Sequence, residues 1–170
     1  MRKSMYSAFE DSATGVAVIF LFIIIILGGT IFFVAPIVGI VSANQLIEFG
    51  AEVPFSVQEN ITYGLCGTVI SFFLGGGWLI GAVCEITVRP PRFRDSSNWN
   101  DPVWKKWHIA LILGILIWLA QTAGAVYLAE IAFQNWDTNP VLAGKIFITL
   151  HSVGMGLFVL GGLGRLTFDY

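Results

Sequence analysis

The run VAVIFLFIIIIL, residues 16–27, has no polar side chain on any face of the helix it would form. A helix without a wet side belongs in a very large core or among lipid tails. Crossing roughly 30 Å of hydrocarbon takes about 20 mostly apolar residues at 1.5 Å each. Four segments reach that length, at about 15–43, 61–88, 107–132 and 141–166. Of the 170 residues 56% are hydrophobic and only 12% charged, with a mean hydropathy of +0.78, which excludes an ordinary water-soluble fold. The expected fold is an all-α membrane protein, one domain over 1–170, with four transmembrane helices in an antiparallel up-down bundle. A barrel would need many shorter alternating segments. The β-branched residues are no obstacle, because in lipid the backbone must satisfy its own hydrogen bonds. MRKSMYSAFEDSATG opens like a signal peptide, but the apolar run behind it is too long and lacks a small-residue cleavage site, so the first helix should be retained.

Charge sets the expected orientation. With alternating helices, the N-terminus, the 89–106 loop and the C-terminus share one face, and the 44–60 and 133–140 loops share the other. The first face carries Arg2, Lys3, Arg89, Arg92, Arg94, Lys105, Lys106 and Arg165, that is, all of the 9 Lys+Arg except Lys145. The positive-inside rule then places both termini and the 89–106 loop on the cytoplasmic side, or its matrix or stromal equivalent. A bacterial inner membrane or an organellar inner or thylakoid-type membrane fits. Trp99, Trp104 and Trp107 are expected at the inner interface and Trp136 at the outer. Asn60-Ile61-Thr62 matches a glycosylation sequon on the outer side but abuts the second helix.

Helices associate in lipid where small residues let backbones approach. Gly67, Ser71 and Gly75 recur at four-residue spacing in the second helix, and Gly77 and Gly81 form a neighbouring pair. Ser152 and Gly156, followed by Gly161, Gly162 and Gly164, do the same in the fourth. Helices two and four are thus the expected interior, and the bulky first helix should meet lipid or another subunit. Pro36 should kink the first helix near Phe32 or Phe33, because it lacks a backbone donor and crowds the preceding turn.

Ionisable groups inside a membrane are costly and call for partners. Gln121 lies roughly 18 Å from the inner boundary and His151 roughly 15 Å from the outer one, which predicts a Gln121–His151 hydrogen bond around a neutral imidazole. The same arithmetic pairs Glu85 with Arg165 near the inner boundary and Glu130 with Lys145 near the outer one. As a functional alternative, these groups would line a proton or ion path. His151 and His108 are the haem candidates, but about 15 Å of depth separates them, so a haem would have to be shared with another chain. His108 with Trp104, Lys105 and Trp107 also suits a quinone headgroup at the membrane edge. Cys66 and Cys84, roughly 27 Å apart on one helix, cannot bridge and read as small buried residues.

No phosphate loop, nucleophile elbow or His/Cys metal cluster is present in the sequence. The expected role is a non-catalytic integral membrane subunit that packs with and stabilises a larger hetero-oligomeric complex, an energy-transducing one of respiratory or photosynthetic type being a candidate. Its partners would be other membrane subunits and bound lipids, without nucleic acid, metal or resident cofactor. The alternatives are a small oligomeric transporter or channel component, and a quinone- or haem-binding anchor.

Overall fold

A computed structural model describes residues 16, 19, 20, 22, 23, 26–87 and 102–168, which are helical almost throughout and contain no strand. Arg2, Lys3, Arg89, Arg92, Arg94 and Trp99 lie outside the described residues, as do the side chains of Trp104 and Lys105. Four stretches are long and apolar enough to cross a membrane: Ile26–Glu52, Phe55–Glu85, Lys106–Gln134 and Pro140–Leu166. The helices are α1 (Ala35–Phe49), α2 (Phe55–Thr87), α3 (Pro102–Gln134) and α4 (Pro140–Phe168). A π-helical turn, Thr30–Val34, leads into α1.

That turn is the answer to Pro36. Ala35 N–H bonds to Thr30 O, five residues back instead of four. In the widened register the next donor would be residue 36, a proline without an N–H, so the Ile31 carbonyl receives no ladder bond from it. This carbonyl faces α2 at Gly67, where a Cβ would collide with it. The expected kink is therefore a widened turn, and Gly67 provides the room for it.

The 44–60 loop expected from the polar residues around Asn44 and Glu52 is mostly helix. α1 runs to Phe49 and stops at Gly50, whose φ of 77° is open chiefly to glycine. A 3-10 turn, Gly50–Glu52, leads to Val53 and Pro54, and α2 begins at once. Asn60 of the sequon consequently sits within α2, half-buried. The connection after α3 is as short as expected. Asn139 Oδ1 accepts the Leu142 N–H at 3.1 Å and Pro140 opens α4, a side-chain cap followed by a residue that needs no donor there.

α2 and α4 share the most extensive contact, α1 packs on both, and α3 leans mainly on α2. Phe147, Leu46 and Ile61, from α4, α1 and α2, are fully buried in the interior. Residue numbers rise together along α2 and α4, with Thr68 beside Gly154, Gly75 beside Gly161 and Ala82 beside Gly164. Along α2 and α3 they run oppositely, with Phe73 beside Trp118 and Cys84 beside Ala110. The first helix is less peripheral than expected, since Pro36, Gly39, Ser42, Ala43 and Leu46 form a buried stripe on α1. α3 is the outermost: 11% of its most apolar stretch is covered by the chain, against 39% for α2.

Candidate functional site

The small residues of α2 decide how close each neighbour comes. At Gly75 a Cβ would stand 2.6 Å from the Leu157 carbonyl and the Phe158 Cα, and a Cβ on Gly161 would strike the Gly75 carbonyl. Glycine on both sides lets the α2 and α4 backbones touch, so van der Waals contact accumulates. Gly76 and Gly77 serve a different neighbour. In a helix the side chain at i+4 shields the carbonyl at i, and glycine leaves it open. Gln121 Nε2 donates to the Phe72 carbonyl at 3.3 Å across the bare edge of Gly76, where a Cβ would collide with the amide. Trp118 Nε1 donates to the Phe73 carbonyl at 2.6 Å beside Gly77. One run of three glycines thus seats α4 on one side and two α3 donors on the other.

His151 lies in a slot built by the same device. It is fully buried, and its Nδ1 shares a 2.7 Å hydrogen bond with the Thr68 hydroxyl. Its ring presses on Gly39 of α1 and Gly64 of α2, where added Cβ atoms would stand 2.5 Å and 2.9 Å from ring atoms. Nε2, facing Gly39, and the buried Ser71 Oγ have no hydrogen-bond partner among the described residues. Three helices therefore close on one imidazole.

The Gln121–His151 bond is not formed. His151 meets α2 at Gly64 and Thr68, Gln121 at Phe72 and Gly76, about 12 Å further along the helix. The two depths coincide only if helix ends lie at the faces of a 30 Å core, whereas α3 and α4 are about 50 and 44 Å long and overrun it. Each group finds a partner on α2, the helix between them. Glu130 accepts a bond from Gln134, one turn on in its own helix, rather than from Lys145; all three side chains are exposed. Glu85 and Arg165 line the same cleft between α2 and α4.

The small-residue stripe expected on the fourth helix is displaced. Ser152, Gly156 and Gly81 are exposed, and nothing lies within 4 Å of a Cβ built at Gly81 or Gly156. The glycines that make contact on α4 are Gly144, Gly154, Gly161 and Gly164, which meet Ile47, Thr68, Gly75 and Ala82. Gly39, Gly64, Gly76, Gly144 and Gly154 were not singled out from sequence. A signal was present, because Gly144, Phe147, His151, Gly154 and Gly161 keep to one face by steps of three, four, three and seven residues. Cys66 is exposed, contrary to expectation, while Cys84 is half-buried with Sγ 3.5 Å from the Ala110 carbonyl.

His108 sits near the start of α3, its ring 5.6 Å from that of Trp107. Level with it on α2 is the region beyond Cys84, about 24 Å from Thr68 and so from His151. Among the described residues no group of three or more His, Cys, Asp or Glu could hold a metal ion. The chain matches no protein family, and neither a curated protein nor a solved structure is detectably similar to it.

Proposed function

We propose that the chain is a non-catalytic integral membrane subunit whose four helices form an up-down bundle and whose outward apolar faces pack against other membrane subunits and lipid. The observation that carries this reading is the division of labour within the spans. Polar side chains turn inward and join helices, as in Thr68–His151, Gln121 to Phe72 and Trp118 to Phe73. Outward, α3 exposes Ile109, Ile112 and Leu116 along one stripe, with little of its own chain covering it. A body whose helices are joined by such bonds and whose third helix is left uncovered suits a stabilising role in a larger assembly, energy-transducing complexes being one setting. The excess of Lys and Arg at the two ends and the middle connector favours a cytoplasmic, matrix or stromal location for those segments.

The experiment is purification in mild detergent followed by native mass spectrometry. Stoichiometric co-purification of other membrane polypeptides is expected, and a lone monomer from native membranes would count against the reading. A second reading, a component of an oligomeric transporter, is favoured by His151 Nε2 and Ser71 Oγ, buried polar atoms without partners among the described residues. Transport by the purified chain in liposomes, lost in His151→Leu with assembly intact, would select it.

A further inference from the structure

α3 and α4 meet through Phe133, Trp136 and Phe147 at one end of the molecule. Toward the other end, the Gly77–Gly81 edge of α2 looks outward between them, with Gly81 exposed and no atom within 4 Å of a Cβ placed there. Two hollows share this edge. One, about 220 Å³, is an apolar groove between α2 and α3 walled by Ile80, Leu111, Gly114, Ile115 and Trp118. The other, about 90 Å³, lies between α2 and α4 and is lined by Trp78, Ala82, Gly164, Glu85 and Arg165. Glu85 closes the apolar span of α2 and Arg165 lies one residue before the end of that of α4, and the apolar groove runs along α2 from this end.

We propose that the Gly77–Gly81 edge binds one phospholipid with a primary-amine headgroup, of the phosphatidylethanolamine type. An acyl chain lies in the α2–α3 groove, the phosphodiester meets the Arg165 guanidinium, and the ammonium donates to the Glu85 carboxylate. The pairing follows from charge complementarity. A guanidinium matches phosphate oxygens through parallel N–H donors. A carboxylate beside it calls for a cation that can donate, which a trimethylammonium group cannot do and a glycerol headgroup does not carry. Glycine at 81 keeps the groove open, since nothing lies within 4 Å of a Cβ placed there and a longer side chain would extend into it, while Gly114 lets Ile80 of α2 approach α3. This inference goes beyond the subunit reading and is independent of it, resting on the spans being embedded in lipid.

The test uses the full chain in nanodiscs of equimolar dioleoyl phosphatidylethanolamine, phosphatidylcholine and phosphatidylglycerol, released for native mass spectrometry. One ethanolamine lipid per chain is expected to be retained, favoured about tenfold over the other two. Glu85→Gln, exposed at a helix end and so compatible with folding, should abolish that preference and leave retention at the choline level. Arg165→Gln should lower retention of all three lipids, and Gly81→Leu should block the groove to all of them. Equal retention of the three headgroups by the unaltered chain, or a preference that survives Glu85→Gln, would overturn the assignment. Displacement of the lipid by soluble phosphoethanolamine at equal concentration would overturn it as well, because the groove would then contribute nothing.

Discussion

The Thr68 hydroxyl and the His151 Nδ1, 2.7 Å apart across 83 positions of sequence, tie the middle of α2 to the middle of α4 at a point that α1 covers. Both side chains are fully or almost fully buried, so water cannot replace either partner. The bond therefore selects one rotation of α4 about its own axis, the one that turns Gly154 and Gly161 toward α2.

Thr68→Val keeps the shape and removes the hydroxyl. A loss of about 1 kcal/mol is expected, the order measured for interhelical hydrogen bonds in membranes. Reversible unfolding in mixed micelles measures it. Thr68→Ser should recover most of the loss, and a Val variant as stable as the original would show that the bond contributes nothing.

Gly39→Ala and Gly156→Ala should differ in sign. A Cβ at Gly39 would stand 2.5 Å from His151 Nε2 with the imidazole held by Thr68, so overpacking should destabilise by about 1–3 kcal/mol. At Gly156 nothing lies within 4 Å, and the gain in helix preference should be neutral or stabilising by up to about 1 kcal/mol. Thermal unfolding of the two variants side by side decides the matter.

Gly76 and Gln121 should be coupled. Alanine at 76 closes the approach to the Phe72 carbonyl, so it should harm the chain that has Gln121 and do little once Gln121→Ala has removed the amide. A double-mutant cycle on unfolding free energy should give an interaction of about 0.5–2 kcal/mol. Additivity of the two changes would mean that Gly76 is present for some other reason.

The outward stripe of α3 should matter to assembly and not to folding. Ile112→Ala and Leu116→Ala lie on exposed positions, so helix content and melting temperature should stay as they are. Recovery of partner polypeptides in mild detergent should fall. Full recovery with the double variant would remove α3 from the proposed interface.

How far residues alone foretold this arrangement differs from level to level. The four apolar segments were legible because a helix must satisfy its backbone internally whatever its neighbours are, and length and hydropathy report that requirement directly. The Asn139-Pro140 start of α4 is local chemistry of the same kind. The stop at Gly50 is local too, yet the polar residues around it suggested a long loop, because helices that overrun the hydrocarbon carry polar side chains at their ends without unwinding. Pro36 foretold a disturbance, but whether the helix would bend or widen depended on Gly67 being there to admit the Ile31 carbonyl.

Glu85 and Arg165 reached a common cleft, but the other two polar pairings were not legible, for a related reason. Depth along a helix can be counted from sequence only as well as its ends are known, and rotation about the axis cannot be counted at all. Gln121 and His151 were matched by depth, yet α2 stands between them and offers each a nearer partner. Spacing put Ser152 and Gly156 in one stripe with Gly161, whereas packing turned Gly154 and Gly161 inward and left Ser152 and Gly156 outside.

The amino-acid order by itself determined that this chain forms long lipid-compatible helices, since backbone hydrogen bonding and apolar length are properties of each segment alone. It located the start of α4 at Pro140, beside the expected 141, but not those of α2 and α3, at Phe55 and Pro102. The choice of which glycine meets which backbone, and which polar atom finds a partner, was left to the tertiary structure. In lipid the apolar surfaces of all four helices are equally content outside or inside, so only close approach and a few directional bonds distinguish one packing from another.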